Sequence, residues 1–281
     1  MDRNTKILKL KLDIIFKRIF GDPANKNIIK TFIEDLLELP QGSIQELYMD
    51  NVELVPENID HKFSRLDLKI KVDDMIVNIE MQVNYEYYFN DRTLFYWSKL
   101  YSGELMDGEE YDKLRQTICI NIVNFNLFKS DDYHSHFKIM EKTRHEVLTE
   151  KFAIHFFELK KINKRRNKKR MEDWLDLINA ETEGDLMDIQ KETSIPEVKE
   201  VIFKLRELSA DEQLKWDVYY REKRLHDEAS ALSGARKEGI EIGRAEGRAE
   251  GRIEGQNEFV AFLKKKWRSE GKSEEKIEKL L

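Results

Sequence analysis

Apolar and polar residues alternate strictly along two stretches that meet at Asp73 and Asp74. Leu66, Leu68, Ile70 and Val72 alternate with Arg65, Asp67, Lys69 and Lys71, and Met75, Val77, Ile79, Met81 and Val83 alternate with Asn78, Glu80, Gln82 and Asn84. A period of two predicts strands with one apolar and one polar face, and two acidic turn residues between them predict a hairpin. If Val72 pairs with Met75, stepping outward along both strands sets Lys69 opposite Asn78, Asp67 opposite Glu80 and Arg65 opposite Gln82 on one surface.

Upstream the spacing changes. Ile15, Ile19, Ile28, Phe32 and Leu36 recur as helix faces do, and Gly21, Asp22 and Pro23 split them into two helices. Residues 44–57 read as an irregular strand. After the hairpin, "DRTLFYWSKLYSGELMDG" predicts a helix opened by Asp91 and stopped near Gly103 or Gly108. "TICINIVNF" and "FAIHFFEL" have the near-continuous apolar character of strands buried on both faces. From about residue 168 the chain is polar and helical, with Trp174, Leu175, Leu177 and Ile178 and later Ile202, Leu205 and Leu208 as apolar positions.

This order predicts an α/β fold in which a mixed sheet is flanked by helices. The expected division is a core over 1–165, a helical appendage over 166–233 and a tail over 234–281. In the tail Gly239, Gly243, Gly247, Gly251 and Gly255 recur every four residues, with Arg244, Arg248 and Arg252 and with Glu246, Glu250 and Glu254 on the same period. Interior glycines weaken a helix, and like charges four apart give no favourable pair. Two readings stay open: a homo-oligomeric association helix whose Arg and Glu stripes meet those of another copy, or a semi-disordered linker.

Composition narrows the class. The 281 residues are 40% hydrophobic and 37% charged, and no stretch approaches the roughly 20 apolar residues of a membrane span. The amino-terminal stretch carries charges throughout and no small-residue cleavage site, so the expectation is a cytoplasmic protein without a secretory signal. The single cysteine, Cys119, lies in an apolar run and reads as a small buried hydrophobe. A net charge of −6 argues against coating nucleic acid, yet "KKINKRRNKKR", Lys160 to Arg170, holds eight basic residues and no acid. That run is either a solvated loop or a phosphate-contacting patch.

The hairpin carries the candidate chemistry. Opposed residues of an antiparallel pair have Cβ atoms about 4.5 to 5.5 Å apart, so facing carboxylates repel unless a proton or cation lies between them. The plain alternative is the solvated face of an amphipathic hairpin. A hard divalent cation removes the repulsion, and Mg²⁺ is held by one or two carboxylates with phosphate oxygens and water. Asp67 and Glu80 therefore form a candidate metal site.

An Asp on one strand followed by Glu-x-Lys, or a variant, on the next resembles the PD-(D/E)xK nuclease active site. "DIIFKRIFG", "LDLKIKV", "NIEMQV", "RTLFYWSKLYSGEL", "INIVNFNLF", "DDYHSHFKIMEK", "IHFFEL" and the terminal "GRAEGRAEG", in this order over nearly the whole chain, resemble the recombination-promoting nuclease and transposase family of that superfamily. The resemblance implies a restriction-endonuclease-like core, metal-binding carboxylates at Asp67 and Glu80, and Gln82 in the lysine position. It implies a further acid in the first helix, matched by Asp13, which reads equally as a helix-start acid. An amide at 82 can orient water but supplies no positive charge, which Lys69 on the same face could provide. The implied activity is hydrolysis of DNA phosphodiester bonds with Mg²⁺, or Mn²⁺, in recombination or mobile-element biology. The competing class is a non-catalytic DNA-binding or oligomeric module that keeps the fold.

Other candidates carry less. His134 and His136 stand beside two Asp residues in "DDYHSHF" but are only two apart, which suits a strand edge better than a metal site. "NYEYYF" could stack on bases, while Trp97 and Tyr101 at helical spacing read as core. Arg92 and Lys99 are candidate phosphate contacts, or partners in surface salt bridges.

Overall fold

The structure is a computed structural model that describes residues 2–49, 68–106, 108–162, 168–271 and 273–279. It divides into two compact units, 1–215 and 216–281. The first holds a six-stranded mixed sheet in the order β1-β2-β3-β4-β6-β5, with β1 at Leu47–Met49, β2 at Leu68–Val72, β3 at Met75–Gln82, β4 at Gln116–Val123, β5 at His134–Phe137 and β6 at Phe152–Glu158. β1, β2 and β3 run antiparallel in turn, β3, β4 and β6 are parallel, and β5 closes the other edge antiparallel to β6. The parallel strands β4 and β6 are buried on both faces, as their continuous apolar runs require.

The hairpin has the register that its alternation predicts: Val72 pairs with Met75, Lys71 with Ile76, Lys69 with Asn78 and Leu68 with Ile79. Asp73 takes a left-handed φ of 47° at the turn. Its carboxylate accepts from the backbone amides of Gln45 and Glu46, which fixes the start of β1 against the turn. Within the region expected as an irregular strand, β1 is short, and residues 50–67 lie outside the described residues together with Arg65, Leu66 and Asp67.

Helices cover both faces. α1 (Asp13–Phe20) stops at Gly21, the Asp22 carboxylate caps the turn that follows, and α2 (Lys26–Leu36) begins after it, so the Gly-Asp-Pro break acts as expected. The carboxy-terminal end of α2 lies over Met75, Ile118, Ala153 and His155. On the other face α3 (Phe89–Ser102) packs on β4, and Phe89 and Leu100 join Cys119, Val123, Phe125, Ile154 and Phe156 in one apolar cluster. This helix starts two residues before the expected Asp91, which sits in its first turn, and it ends at Gly103.

The helices after residue 168 do not stand apart. α4 (Arg170–Asn179) and α6 (Pro196–Ala210) both pack on α2, and α5 (Glu183–Glu192) bridges them. Trp174 is fully buried, its ring centroid 5.2 Å from that of Phe32 and 6.2 Å from that of Phe20. Its indole N–H donates to Asp35 at 2.7 Å, and the Arg170 Nε meets the same carboxylate at 2.6 Å. This apolar and ionic seam makes the helices one unit with the sheet.

In the second unit the dominant element is the long helix α7 (Glu212–Ser269), which continues through all five tail glycines, and the short α8 (Glu274–Glu278) follows. Every residue from 222 to 259 is exposed. Among the described residues no helix is long and apolar enough to cross a membrane.

Replacing Trp174 by alanine removes the indole from the centre of the seam and leaves Asp35 short of one donor. We expect a loss of about 3 to 5 kcal/mol in urea unfolding, and an unchanged midpoint would show that the helices do not depend on the seam.

Candidate functional site

β3 is a central strand, and this changes what its polar face means. Asn78, Glu80 and Gln82 alternate with Val77, Ile79 and Met81, as expected, yet Asn78 is 1% and Glu80 5% exposed. The polar face is not the solvated side of a hairpin, because β4 lies beside it and α3 covers it. A carboxylate at that depth needs a compensating charge.

Arg92 provides it. From the first turns of α3 its Nη2 donates to Glu80 Oε1 at 2.5 Å and to Gln82 Oε1 at 3.2 Å, while Nη1 donates to Glu86 Oε2 at 2.5 Å. The amide of Gln82 completes the set, with Nε2 donating to the Asn84 carbonyl at 2.9 Å and to Glu86 Oε1 at 3.1 Å. One guanidinium thus joins the end of β3, the loop after it and α3. Phe89 lies under that guanidinium, 5.1 Å from ring centroid to Cζ.

The polar layer continues into the sheet. Asn121, beside Glu80 on β4, accepts from Thr93 Oγ1 at 3.4 Å and donates to the His155 carbonyl at 3.2 Å. Cys119 lies beside Asn78, and burial, reinforced by the Glu80 charge, pushes its thiol up to about 12, so it stays neutral. Among the described residues, the buried Asn78 Oδ1 and Arg92 Nε find no hydrogen-bond partner.

The other expected site residues fall at varied distances from this cluster. Lys69 is half-buried on β2 opposite Asn78, on the strand next to Glu80. Asp13 is the first residue of α1, and its carboxylate accepts from the Ile14 amide at 2.8 Å. Lys99 is exposed, its ammonium 5.7 Å from the Phe95 ring centroid. Asp67 lies outside the described residues. Arg92, expected as a phosphate contact or a salt-bridge partner, is in ion pairs with Glu80 and Glu86, and its place on the same helix stripe as Phe89 and Tyr96 is the sequence signal that it points inward.

Four described residues of the basic run are committed elsewhere, while Lys160 is exposed. Lys161 pairs with the fully buried Glu158, Lys168 with Asp173 and Asp176, Lys169 with Glu38, and Arg170 with Asp35. They anchor α4 and the segment before it.

The exposed rings lie near the cluster. Tyr85, Tyr87 and Tyr88 are 57%, 80% and 70% exposed in the loop between Gln82 and α3, while Trp97 is partly buried against Tyr101 and Phe152 and donates to the Thr117 carbonyl.

A second cluster forms at the far edge of the sheet. β5 places His134 and His136 beside His155 of β6, with His134 Nε2 3.0 Å from His155 Nδ1, around a cavity of about 180 Å³ that Glu38 and Lys138 also line. Among the described residues no group of three or more His, Cys, Asp or Glu side chains is disposed to hold a metal ion. Burial holds the His155 imidazole down to about 3 and that of His134 to about 4, and lowers His136 less; the neighbouring imidazoles add to the effect at His134 and His155.

The comparisons with known proteins bear on the first cluster. The family described as PD-(D/E)XK nuclease family transposase matches residues 10–235. The chain belongs to that family. No curated protein and no solved structure matches it. The match covers the sheet, both helical layers and the Glu80–Gln82–Arg92 cluster, and ends before the glycine repeat.

Two outcomes follow from this geometry. Arg92→Leu removes the guanidinium paired with the buried Glu80 and should cost on the order of 3 kcal/mol in urea unfolding; a loss within experimental error would mean that this pair does not carry the stability of the site. At the second cluster, unfolded imidazoles take protons below a pH of about 6.5 whereas folded His134 and His155 resist until about 4 and 3. Stability should therefore fall as pH drops from 7 to 5, by at most about 1.4 kcal/mol per pH unit for each excluded proton. A urea series should show a shallower fall for His134→Phe/His155→Phe, and an equal fall in both proteins would remove these imidazoles as the cause.

Proposed function

We propose that this protein is a divalent-metal-dependent DNA endonuclease that serves recombination or mobile-element movement in the cytoplasm. The observation that carries the reading is the carboxylate of Glu80. In a chain of the PD-(D/E)XK nuclease family, it is buried on a central strand and shares one cationic group with the amide oxygen of Gln82.

The donor chemistry suits Mg²⁺ or Mn²⁺. Glu80 and Gln82 offer hard oxygens that already converge on a positive group, and the buried Asn78 Oδ1 on the same face has no partner among the described residues. Asp67 is the proposed second carboxylate, one step beyond the last described pair of the hairpin, Leu68 with Ile79. A bound divalent ion would lower the pKa of a water and neutralise phosphate charge.

The chain's own residues carry the remaining roles. Glu80 and Asp67 bind, Lys69 on the neighbouring strand adds positive charge, and Asp13 is the outlying acid. The exposed tyrosines after Gln82 offer stacking surfaces to bases, and Lys99 a phosphate contact. The alternative, a non-catalytic DNA-binding module, is favoured by the Arg92–Glu80 ion pair, since a guanidinium fixed on the carboxylate occupies one of the oxygens a metal needs.

Nicking of supercoiled plasmid decides between them. With Mg²⁺ or Mn²⁺ the chain should nick DNA, with EDTA it should not, and Asp67→Ala should fold normally and lose at least about 100-fold, since removing even the groups that orient metal ligands costs about 10- to 100-fold. DNA that is bound and left intact under every metal condition selects the binding module.

A further inference from the structure

The lysine of the basic PD-(D/E)xK motif is an amide at 82 here, and the structure shows what the amide touches. Gln82 Oε1 accepts from the Arg92 guanidinium, and its Nε2 donates to the Asn84 carbonyl and to Glu86. Both polar ends of the side chain are engaged with Arg92 or with the loop segment that holds Arg92 from its other side. We propose that Arg92 supplies the positive charge that glutamine at 82 lacks, contacting a phosphate of the DNA substrate, and that Gln82 and Glu86 are positioning residues for it.

Three observations support this assignment, which rests on the nuclease reading. Arg92 reaches the same carboxylate that a lysine two residues along β3 would neighbour, so the positive charge is retained while its origin moves to α3. It enters between two acids, Glu80 and Glu86, that fix its fork in one orientation over the Phe89 ring. Its side chain keeps 19% exposure while both terminal nitrogens sit among these oxygens, so part of the guanidinium edge still faces solvent.

The chemistry suits a clamp and excludes a proton carrier. A guanidinium stays protonated at any working pH, presents its donors in a planar fork and meets phosphate oxygens two at a time. It therefore stabilises negative charge as that charge develops on the phosphodiester. Lys69 approaches from β2, opposite Asn78, whereas Arg92 comes from α3 and meets Gln82 directly.

The test exchanges the two positions. Arg92→Leu should lower plasmid cleavage by about 100-fold or more, the usual cost of one donor aimed at developing charge. Arg92→Lys should keep part of the rate, and Gln82→Lys/Arg92→Leu should recover at least about tenfold over Arg92→Leu, because the double variant returns a cation beside Glu80. Thermal unfolding of each variant separates folding from function.

A second readout needs no cleavage. In EDTA, the slope of log affinity for duplex DNA against log salt should shrink by about one unit in Arg92→Leu relative to the parent, and by less in Arg92→Lys/Gln82→Leu, where lysine keeps the charge. A parent that never nicks overturns the nuclease reading but leaves this slope as the measure of the phosphate contact. An unchanged slope in folded Arg92→Leu, or a double variant no better than Arg92→Leu, overturns the assignment of Arg92.

Discussion

A carboxylate on a central strand constrains everything around it. Glu80 lies at 5% exposure between β2 and β4, where an uncompensated charge would be too costly to keep. The Arg92 guanidinium answers that cost, and to reach it α3 must lie across the polar face of β3. Once α3 is there, Glu86 and Gln82 close around the same guanidinium, and Phe89 packs beneath it. One buried charge thus ties α3 and the loop before it to the end of β3, beside the apolar packing of Phe89 and Leu100 on β4.

The opposite face of the sheet is organised by a second acid. Asp35 ends α2 at 3% exposure and receives Trp174, Arg170 and Gln41, so that the helices after residue 168 are drawn onto the first two. Both layers thus use the same device, a buried carboxylate that gathers donors from distant elements. At Asp35 the donors come from α4 and the loop after α2, while at Glu80 a guanidinium from α3 meets the carboxylate and the Gln82 amide oxygen together at a strand end.

Much of this was legible in the sequence, and what was not has a physical reason. The period of two in Leu68–Val72 and Met75–Gln82 gave the hairpin and its register, and the continuous apolar runs gave β4 and β6, because side-chain spacing reports local geometry directly. The same alternation could not say that a helix would cover the polar face of β3, since a polar stripe reads alike whether water or an arginine meets it. The basic run from Lys160 reads as a phosphate surface or a solvated loop, yet Lys161, Lys168, Lys169 and Arg170 pair with Glu158, Asp173, Glu38 and Asp35. His155 joined His134 and His136 through strand pairing that spacing alone does not encode.

The seam at Trp174 also bears on how the chain is made. Phe16, Phe20 and Phe32 leave the ribosome early, but the indole that completes their packing, and the donor that Asp35 awaits, come 139 residues after that acid. Until then the strands can pair while an aromatic face stays open to water. The growing chain therefore passes through a long stage in which it is most prone to stick to its neighbours, and the end of that stage is set by the arrival of α4 rather than by the completion of the sheet.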